Sequence, residues 1–170
     1  MKKIFFIALA IVTIVACQSP KEKALANIKN LEANDSIFSP EQIEKVKVAY
    51  IDFANKYPDD DLAPEFLFKA GQRCNASANH EQALALFQQV IDKYPKHKIA
   101  EDALFLQGYV YENSMQDLSR AKTVYVKFLE LYPNSDLAED AKSSIEDLGK
   151  TPEQIFAEFE KKDSTASAKK

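Results

Sequence analysis

Two histidines, a run of three aspartates and two cysteines are the groups in this sequence best suited to chemistry. His80 and His97 have no second ligand residue at the spacing of a zinc site, so both are predicted to be solvated. Asp59-Asp60-Asp61 lacks the glycine and the distal glutamate of a calcium-binding loop, and helix capping explains these acids better. The sequence therefore predicts neither a metal nor another cofactor.

No catalytic motif accompanies these groups. A Gly-x-Ser-x-Gly turn, a phosphate-binding glycine loop and a Cys-x-x-Cys pair are all missing from the sequence. We therefore expect no enzymatic activity, with an enzyme that has an unrecognised site as the alternative. The net charge of -4 includes Lys2 and Lys3, so it is about -6 without the first 16 residues. Such a surface repels phosphate backbones, which argues against nucleic-acid binding.

Cys17 follows a segment that is typical of secreted bacterial proteins. Lys2 and Lys3 precede the apolar run Ile4–Val15, which is too short to span a bilayer comfortably. Ile14-Val15-Ala16-Cys17 resembles the bacterial lipobox, and this resemblance implies cleavage after Ala16 and lipid on the thiol and amine of Cys17. Because one acyl chain anchors a protein only marginally and two or more hold it firmly, Cys17 would attach the chain stably to a membrane.

The predicted location is the bacterial cell envelope, lipid-anchored at the outer membrane. Gln18 follows Cys17, and no aspartate favours retention in the inner membrane. Orientation toward the periplasm or the exterior stays open. An ordinary signal peptide with a chance cysteine and an uncleaved amino-terminal helix are the alternatives. With Cys17 acylated, Cys74 has no disulfide partner in the chain, so it is predicted to be a small buried side chain rather than a reactive thiol.

Tyr-Pro pairs divide the remaining chain into similar units. Tyr57-Pro58, Tyr94-Pro95 and Tyr132-Pro133 are separated by 37 and 38 residues, a period that indicates a helical solenoid. Small residues recur at fixed distances after the prolines, namely Ala63, Ala100 and Ala138, and Gly71 and Gly108. The glycines are predicted to let paired helices cross closely, so that a bulky side chain there would force the helices apart.

Apolar residues recur three and four positions apart within each unit, which places them on one face of a helix. Three capping signals mark helix starts, at Ser39-Pro40, Asn79-His80 and Thr151-Pro152, each with glutamine three residues after the capping side chain. Each Tyr-Pro pair ends a helix, because proline disfavours helical geometry in the residue before it. With only three glycines and no tryptophan, the composition also favours an all-α protein.

Two units resemble the tetratricopeptide repeat, as shown by residues at the spacing of its signature: Leu67, Gly71, Ala83, Phe87 and Pro95, then Leu104, Gly108, Tyr111, Ala121, Tyr125 and Pro133. The second unit has one extra residue near Asn113 to Leu118. This resemblance implies antiparallel helical hairpins stacked as a short right-handed solenoid, with a generic helical bundle as the alternative. With the lipobox and the Tyr-Pro-x-x-x-x-Ala series, the chain more narrowly resembles the outer-membrane assembly lipoproteins of the BamD (YfiO) type and the repeat domain of the tol-pal system protein YbgF.

The predicted organisation has four parts: a signal peptide over 1–16, a lipidated tether over 17–24, a repeat domain over 25–160 and a flexible tail over 161–170. The repeats themselves are predicted near 25–58, 62–95 and 99–133, with final helices over 136–160. Thr151 to Lys161, with Ile155, Phe156 and Phe159 on one side, is expected to cap the open end of the stack. Filling of the partner-binding groove by this helix is the alternative.

The family resemblance implies a groove for partners on the concave face, which the first helix of each hairpin lines. Its usual groove positions correspond to Glu65, Phe68, Gln72 and Asn75 in one repeat and to Asp102, Phe105, Tyr109, Glu112 and Asn113 in the next. Phe68, Phe105 and Tyr109 would form an aromatic strip suited to the apolar anchor of a peptide. Placement of the two phenylalanines in the core is the alternative.

Together, the lipobox and the repeats predict a membrane-anchored scaffold for protein–protein interactions in the bacterial envelope, with outer-membrane protein assembly as the leading process. Its expected partners are protein or peptide segments of envelope proteins, and the lipid membrane through acylated Cys17. A tol-pal or cell-division-linked adaptor is the nearest alternative. A protein that captures sugars or peptides in a closed pocket, and an envelope enzyme, are alternatives of other classes.

Overall fold

The computed structural model describes residues 18–33 and 39–158, and this part of the chain contains helices and no strand. The signal segment, Cys17 and the predicted tail over 161–170 lie outside the described residues. The helices are α1 (Pro20–Ala33), α2 (Pro40–Lys56), α3 (Leu62–Ala76), α4 (His80–Lys93), α5 (Ile99–Tyr109) with a π-helical continuation (Val110–Ser114), α6 (Leu118–Leu131), α7 (Ala138–Asp147) and α8 over 152–158. None of the described helices is both long and apolar enough to cross a bilayer.

Successive helices pack on one another in chain order. The pairs α1–α2, α3–α4 and α5–α6 form hairpins, and the second helix of each hairpin also packs against the next helix in the chain. The first helices α3 and α5 lie against one another, whereas the second helices make no comparable contact in the described part of the chain. The first helices therefore lie on the inner side of a curved stack. The predicted all-α solenoid of stacked helical hairpins is confirmed.

The three Tyr-Pro turns have the same backbone structure. Each tyrosine N–H donates to the carbonyl four residues earlier, and each tyrosine carbonyl accepts from the N–H three residues later. At that later position the side chains of Asp60, His97 and Ser135 each accept a hydrogen bond from the backbone N–H two residues further on, at 2.9 to 3.2 Å. His97 is therefore half-buried and caps the start of α5, which corrects the prediction that it is solvated.

One side chain joins two of these turns directly. Tyr94 Oη donates to the carbonyl of Pro58, which belongs to the preceding turn, at 2.9 Å. Tyr57 occupies the same position one unit earlier, and its buried hydroxyl has no partner among the described residues.

The core follows the interior of the stack from α1 to α7. Its largest fully buried side chains come mostly from the second helices, namely Tyr50, Phe53, Phe87, Tyr125 and Phe128. Gly71 and Gly108 on the first helices lie directly beneath the rings of Phe87 and Tyr125. A Cβ atom at either glycine would stand 2.6 or 2.5 Å from the nearest ring carbon, so the predicted close crossing of paired helices is confirmed.

Helix α1 begins at Pro20, which corrects the predicted tether over 17–24. Ser19 and Glu22 form a capping box: Ser19 N–H donates to Glu22 Oε2 at 2.7 Å, and Glu22 N–H donates to Ser19 Oγ at 3.2 Å. Reciprocal bonds of this kind, followed by a proline at the first helical position, start a helix. Because the sequence interpretation did not include this box, it placed the helix start too late.

Helix α8 corrects a second prediction, that of a cap over the end of the stack. All its described residues are exposed, including Ile155 at 39% and Phe156 at 63%. Its start is fixed by local bonds, because Thr151 N–H donates to Gln154 Oε1 at 2.8 Å and Gln154 N–H donates to Thr151 Oγ1 at 3.3 Å. Gly149, with a φ of +81°, ends α7 in the left-handed region that glycine favours. The helix therefore forms without burying its apolar side chains.

The extra residue predicted near Asn113 to Leu118 is accommodated by the π-helical turn Val110–Ser114. A π-helix has wider hydrogen-bonded turns than an α-helix, so it accommodates one inserted residue without breaking the helix. Gln116, at a φ of +56°, closes this turn. Its Nε2 donates to the carbonyls of Glu112 and Asn113 at 3.0 and 3.2 Å.

Candidate peptide-binding groove

The inner face of the stack is the candidate binding surface, because the first helices α1, α3, α5 and α7 line it. The predicted groove residues on α3 and α5 differ in exposure. Gln72, Tyr109 and Asn113 are exposed, whereas Glu65, Phe68, Asn75, Asp102, Phe105 and Glu112 are half-buried. The exposed side chains are available to a partner without rearrangement.

Only one of the three predicted aromatic side chains presents an open ring. Tyr109 is 45% exposed. Phe68 packs on Phe87 with ring centroids 5.6 Å apart. Phe105 lies 5.5 and 5.6 Å from the ring centroids of Tyr125 and Phe128. Phe68 and Phe105 are therefore both part of the core and part of the groove floor, and Tyr109 extends from that floor.

Buried tyrosines of two second helices hold glutamates at the ends of the first helices. Tyr50 Oη donates to Glu32 Oε1 at 2.7 Å, and Tyr125 Oη donates to Glu112 Oε2 at 2.8 Å. Burial, followed by the hydrogen bond to the glutamate, raises the pKa of both tyrosines above the ordinary value. The two hydroxyls therefore stay protonated donors and fix both carboxylates in place.

In the first of these pairs the carboxylate also meets a cation. Lys69 Nζ of the next hairpin lies 3.2 Å from Glu32 Oε1, and it stands 5.7 and 5.6 Å from the ring centroids of Tyr50 and Phe66. Burial alone would raise the pKa of Glu32, but the hydrogen bonds from Tyr50 and Lys69 together lower it below its usual value. Glu32 is therefore ionised and neutralised within the chain.

Replacing Glu32 by glutamine is expected to lower the free energy of unfolding by about 0.5 to 1 kcal/mol at neutral pH, because the pair is partly exposed. A carboxyl whose folded pKa is depressed stabilises the fold above its unfolded pKa of about 4.3, and the stabilisation disappears as pH falls through the folded value. Urea unfolding should therefore show the difference between wild type and Glu32→Gln shrinking from about pH 5 to pH 3. The control is Glu139→Gln at an exposed site. A difference that does not change with pH would contradict this assignment.

Between the second and third hairpins a neutral contact replaces the ion pair. Asn75 Oδ1 lies 2.8 Å from His80 Nδ1 and accepts from Ser114 Oγ at 3.1 Å. Ser114 belongs to the π-helical turn, so Asn75 links α3 to the following hairpin. His80 is half-buried in this contact, and the prediction of a solvated histidine is wrong here too. Hydrogen bonding to a neighbouring side chain accounts for His80.

Cys74 is buried close to this junction, as predicted. Its Sγ donates to Gln82 Oε1 at 3.3 Å, and Gln82 Oε1 also accepts from Lys47 and Asn79. Burial raises the pKa of the Cys74 thiol, which disfavours the reactive thiolate. Within the described residues no group of three or more His, Cys, Asp or Glu side chains is placed to hold a metal ion.

Sequence reasoning missed three residues that shape this surface. Glu32 and Lys69 form the first inter-repeat contact, and Ser114 forms the second. The repeat register could have shown that Glu32 and Glu112 are equivalent. Each lies near the end of a first helix, opposite a tyrosine of the following helix. The segment between α1 and α2 is longer than its counterparts, which hides this equivalence from a count of residues.

Comparison with known families agrees with the geometry. Residues 65–97 and 102–135 match the family model described as Tetratricopeptide repeat. These segments coincide with the α3–α4 and α5–α6 hairpins, so the two hairpins are tetratricopeptide repeats and the fold is a tetratricopeptide-repeat solenoid. Domains of this class bind protein or peptide partners and typically serve as non-enzymatic scaffolds. No curated protein matches the chain.

Proposed function

We propose that this protein is a lipid-anchored scaffold of the bacterial envelope whose groove binds a segment of another envelope protein. The observation that carries the proposal is the exposed ring of Tyr109 beside the half-buried ring of Phe105, on the inner face of a tetratricopeptide-repeat solenoid. Aromatic side chains in this setting are the usual anchors of protein interfaces.

The side chains of the groove are ordered before a partner binds. Phe105 is fixed by its contacts with Tyr125 and Phe128, and Tyr125 is fixed in turn by its hydrogen bond to Glu112. Because these side chains are already ordered, little conformational entropy is lost when a partner binds. A cavity of about 530 Å³ lies instead between α1 and α2, where Asn27 and Tyr57 are among its lining residues. An extended segment on the open groove therefore suits this surface better than a small ligand in a closed pocket.

Attachment through Cys17 would hold the solenoid close to the membrane. The resemblance to the lipobox supports acylation of this cysteine, and α1 begins only three positions later, at Pro20. With so short a spacer, the anchored protein has limited freedom to move away from the lipid surface, so the groove would meet partners that are themselves in or near the membrane.

The anchor is tested by Cys17→Ala in a bacterial host. The wild-type chain should appear in the membrane fraction, with a mass that corresponds to cleavage before Cys17 and added acyl chains. The variant should lose the acyl mass and leave the membrane fraction. A wild-type protein that keeps residues 1–16, or that carries no lipid, would overturn the anchoring part of the proposal.

Binding in the groove is tested by recovering partners from detergent-solubilised membranes with wild type, Tyr109→Ala and Val126→Ala. Val126 is a matched control, because it is exposed on α6 in the layer of second helices. At least one partner should be recovered equally by wild type and Val126→Ala and at least about tenfold less by Tyr109→Ala, as expected for an interface anchor. Equal recovery of every partner by all three proteins would exclude the groove.

For the cellular process, the resemblance to lipoproteins of the BamD type supports a role in outer-membrane protein assembly. Similarity to the repeat domain of the tol-pal protein YbgF supports the nearest alternative, an adaptor linked to the tol-pal system or to cell division. The partner lost from Tyr109→Ala distinguishes the two. A protein of outer-membrane protein assembly supports the first role, and a component of the tol-pal system supports the second.

A further inference from the structure

The repeat register identifies equivalent contacts at three junctions, two between successive hairpins and one between the third hairpin and α7. Ala63, Ala100 and Ala138 occupy the same turn position, and the sixth residues after them are Lys69, Leu106 and Ser144. At the first junction Lys69 Nζ meets the carboxylate of Glu32 at 3.2 Å. At the third junction Glu112 occupies the position of Glu32 and Ser144 that of Lys69. The lysine of the first junction is therefore replaced by a small neutral side chain at the third.

Among the described residues, Glu112 consequently has a fixed carboxylate and no cation that pairs with it. Tyr125 Oη holds Glu112 Oε2 at 2.8 Å, and the side chain of Ser144 lies beside the same tyrosine hydroxyl. In the described part of the chain, no lysine or arginine lies within ion-pair distance of Glu112. A half-buried carboxylate without a neighbouring positive charge is less favourable than a paired one.

We propose that the partner supplies this cation, and that a lysine or arginine side chain of the bound segment lies between the Glu112 carboxylate and the Tyr109 ring. The Tyr109 side chain lies close enough to the Tyr125 hydroxyl to contribute to its raised pKa, and the same hydroxyl donates to Glu112, so Tyr109 and Glu112 both adjoin Tyr125. A cation there would have both a carboxylate and an aromatic face as partners. Lys69 already shows this combination at the first junction, where it contacts Glu32 and stands over two aromatic rings.

This inference rests on the proposed function and specifies the chemistry of the segment that the groove accepts. An apolar side chain would pack on Phe105 and Tyr109, and a basic side chain next to it would reach Glu112. Acidic segments would be disfavoured at this end of the groove, because their carboxylates would approach Glu112. The groove therefore distinguishes partners by charge as well as by shape.

A first experiment introduces the missing cation into the chain itself. Ser144→Lys places a lysine where Lys69 stands at the first junction, and the variant is expected to unfold at a temperature about 2 °C higher than wild type. The gain should vanish in the Glu112→Gln background, where no carboxylate remains. Ser143→Lys, one residue away and exposed, is the matched control and should give no gain that depends on Glu112. A gain from Ser144→Lys that persists without the carboxylate would overturn the assignment.

The second experiment selects short random peptides, displayed on phage, against the full-length protein purified in detergent. Wild type should enrich peptides with lysine or arginine next to an apolar residue, and the basic preference should fall at least about tenfold with Glu112→Gln and with Ser144→Lys. Glu32→Gln should retain the preference, because Glu32 is already neutralised by Lys69.

The outcomes of the selection separate this inference from the proposed function. Peptides that depend on Tyr109 but show no basic preference would leave the groove as a binding site and overturn the cation position. A basic preference unchanged by Glu112→Gln would overturn it as well. Failure to select any peptide that depends on Tyr109 would overturn both.

Discussion

Gly108→Ala should lower the free energy of unfolding by about 2 kcal/mol, against the gain that alanine usually gives inside a helix. A Cβ at this position would stand 2.5 and 2.7 Å from two ring carbons of Tyr125. The ring has no free space to move into, because it is fully buried, contacts Phe105 and is tied by its hydroxyl to Glu112. Thermal unfolding should show a midpoint about 6 °C below that of wild type.

The double variant Gly108→Ala, Tyr125→Leu separates this clash from a general effect of the glycine. Once the aromatic ring is removed, alanine at position 108 should no longer lower the free energy of unfolding. The double variant should therefore be about as stable as Tyr125→Leu alone. A stability gain from Gly108→Ala in the wild-type background would show that the crossing of α5 and α6 is looser than the structure indicates.

Phe53→Ala is expected to lower the free energy of unfolding by about 3 to 5 kcal/mol, because it removes a large, fully buried side chain. Phe53 is fully buried, and its ring lies 5.0 Å from the ring of Phe66 and 5.0 Å from that of Tyr57. It thereby joins α2 to α3, so its removal leaves a cavity between the first hairpin and the second. The measurement is urea unfolding followed by circular dichroism.

Val48→Ala on the same helix is the matched control, because Val48 is 43% exposed. This change should lower the free energy of unfolding by no more than about 0.5 kcal/mol. Since each hairpin of a solenoid contacts only its neighbours, the loss at Phe53 should loosen the first hairpin more than the third. Amide hydrogen exchange should therefore accelerate more in α1 and α2 than in α5 and α6. Uniform acceleration would indicate instead that the described hairpins unfold as one unit.

The groove depends on the packed core of the hairpins, in which Gly108 and Phe53 lie. Tyr125 contacts the glycine of its hairpin, packs on Phe105 in the groove floor and holds Glu112. A change at Gly108 is therefore expected to disturb binding as well as stability, whereas Tyr109→Ala is expected to affect binding alone. This difference allows loss of a partner to be separated from loss of the fold.

The candidate site was predictable only in part. Repeat positions located the first-helix residues, among them Tyr109, whose ring is open. They could not show that Phe68 and Phe105 would be half-buried against aromatic rings of the second helices, because that depends on how the helices cross. They also gave no indication that Glu32 is neutralised by Lys69 while Glu112 has no such partner in the described chain.

The sequence by itself determined the helical class, the period and the places where helices end, because these properties depend on residues close together in the chain. Apolar spacing, capping residues and Tyr-Pro pairs all act locally. The equivalence of Asp60, His97 and Ser135 was less visible, since three different side chains supply the same hydrogen-bond acceptor.

Tertiary structure alone decided which side chains are free and which charges are paired. Exposure of Phe156 and the contact between Lys69 and Glu32 each depend on which neighbours are, or are not, within reach. A residue's type fixes what it can donate or accept, but only the packing of one hairpin on the next determines whether a partner is present.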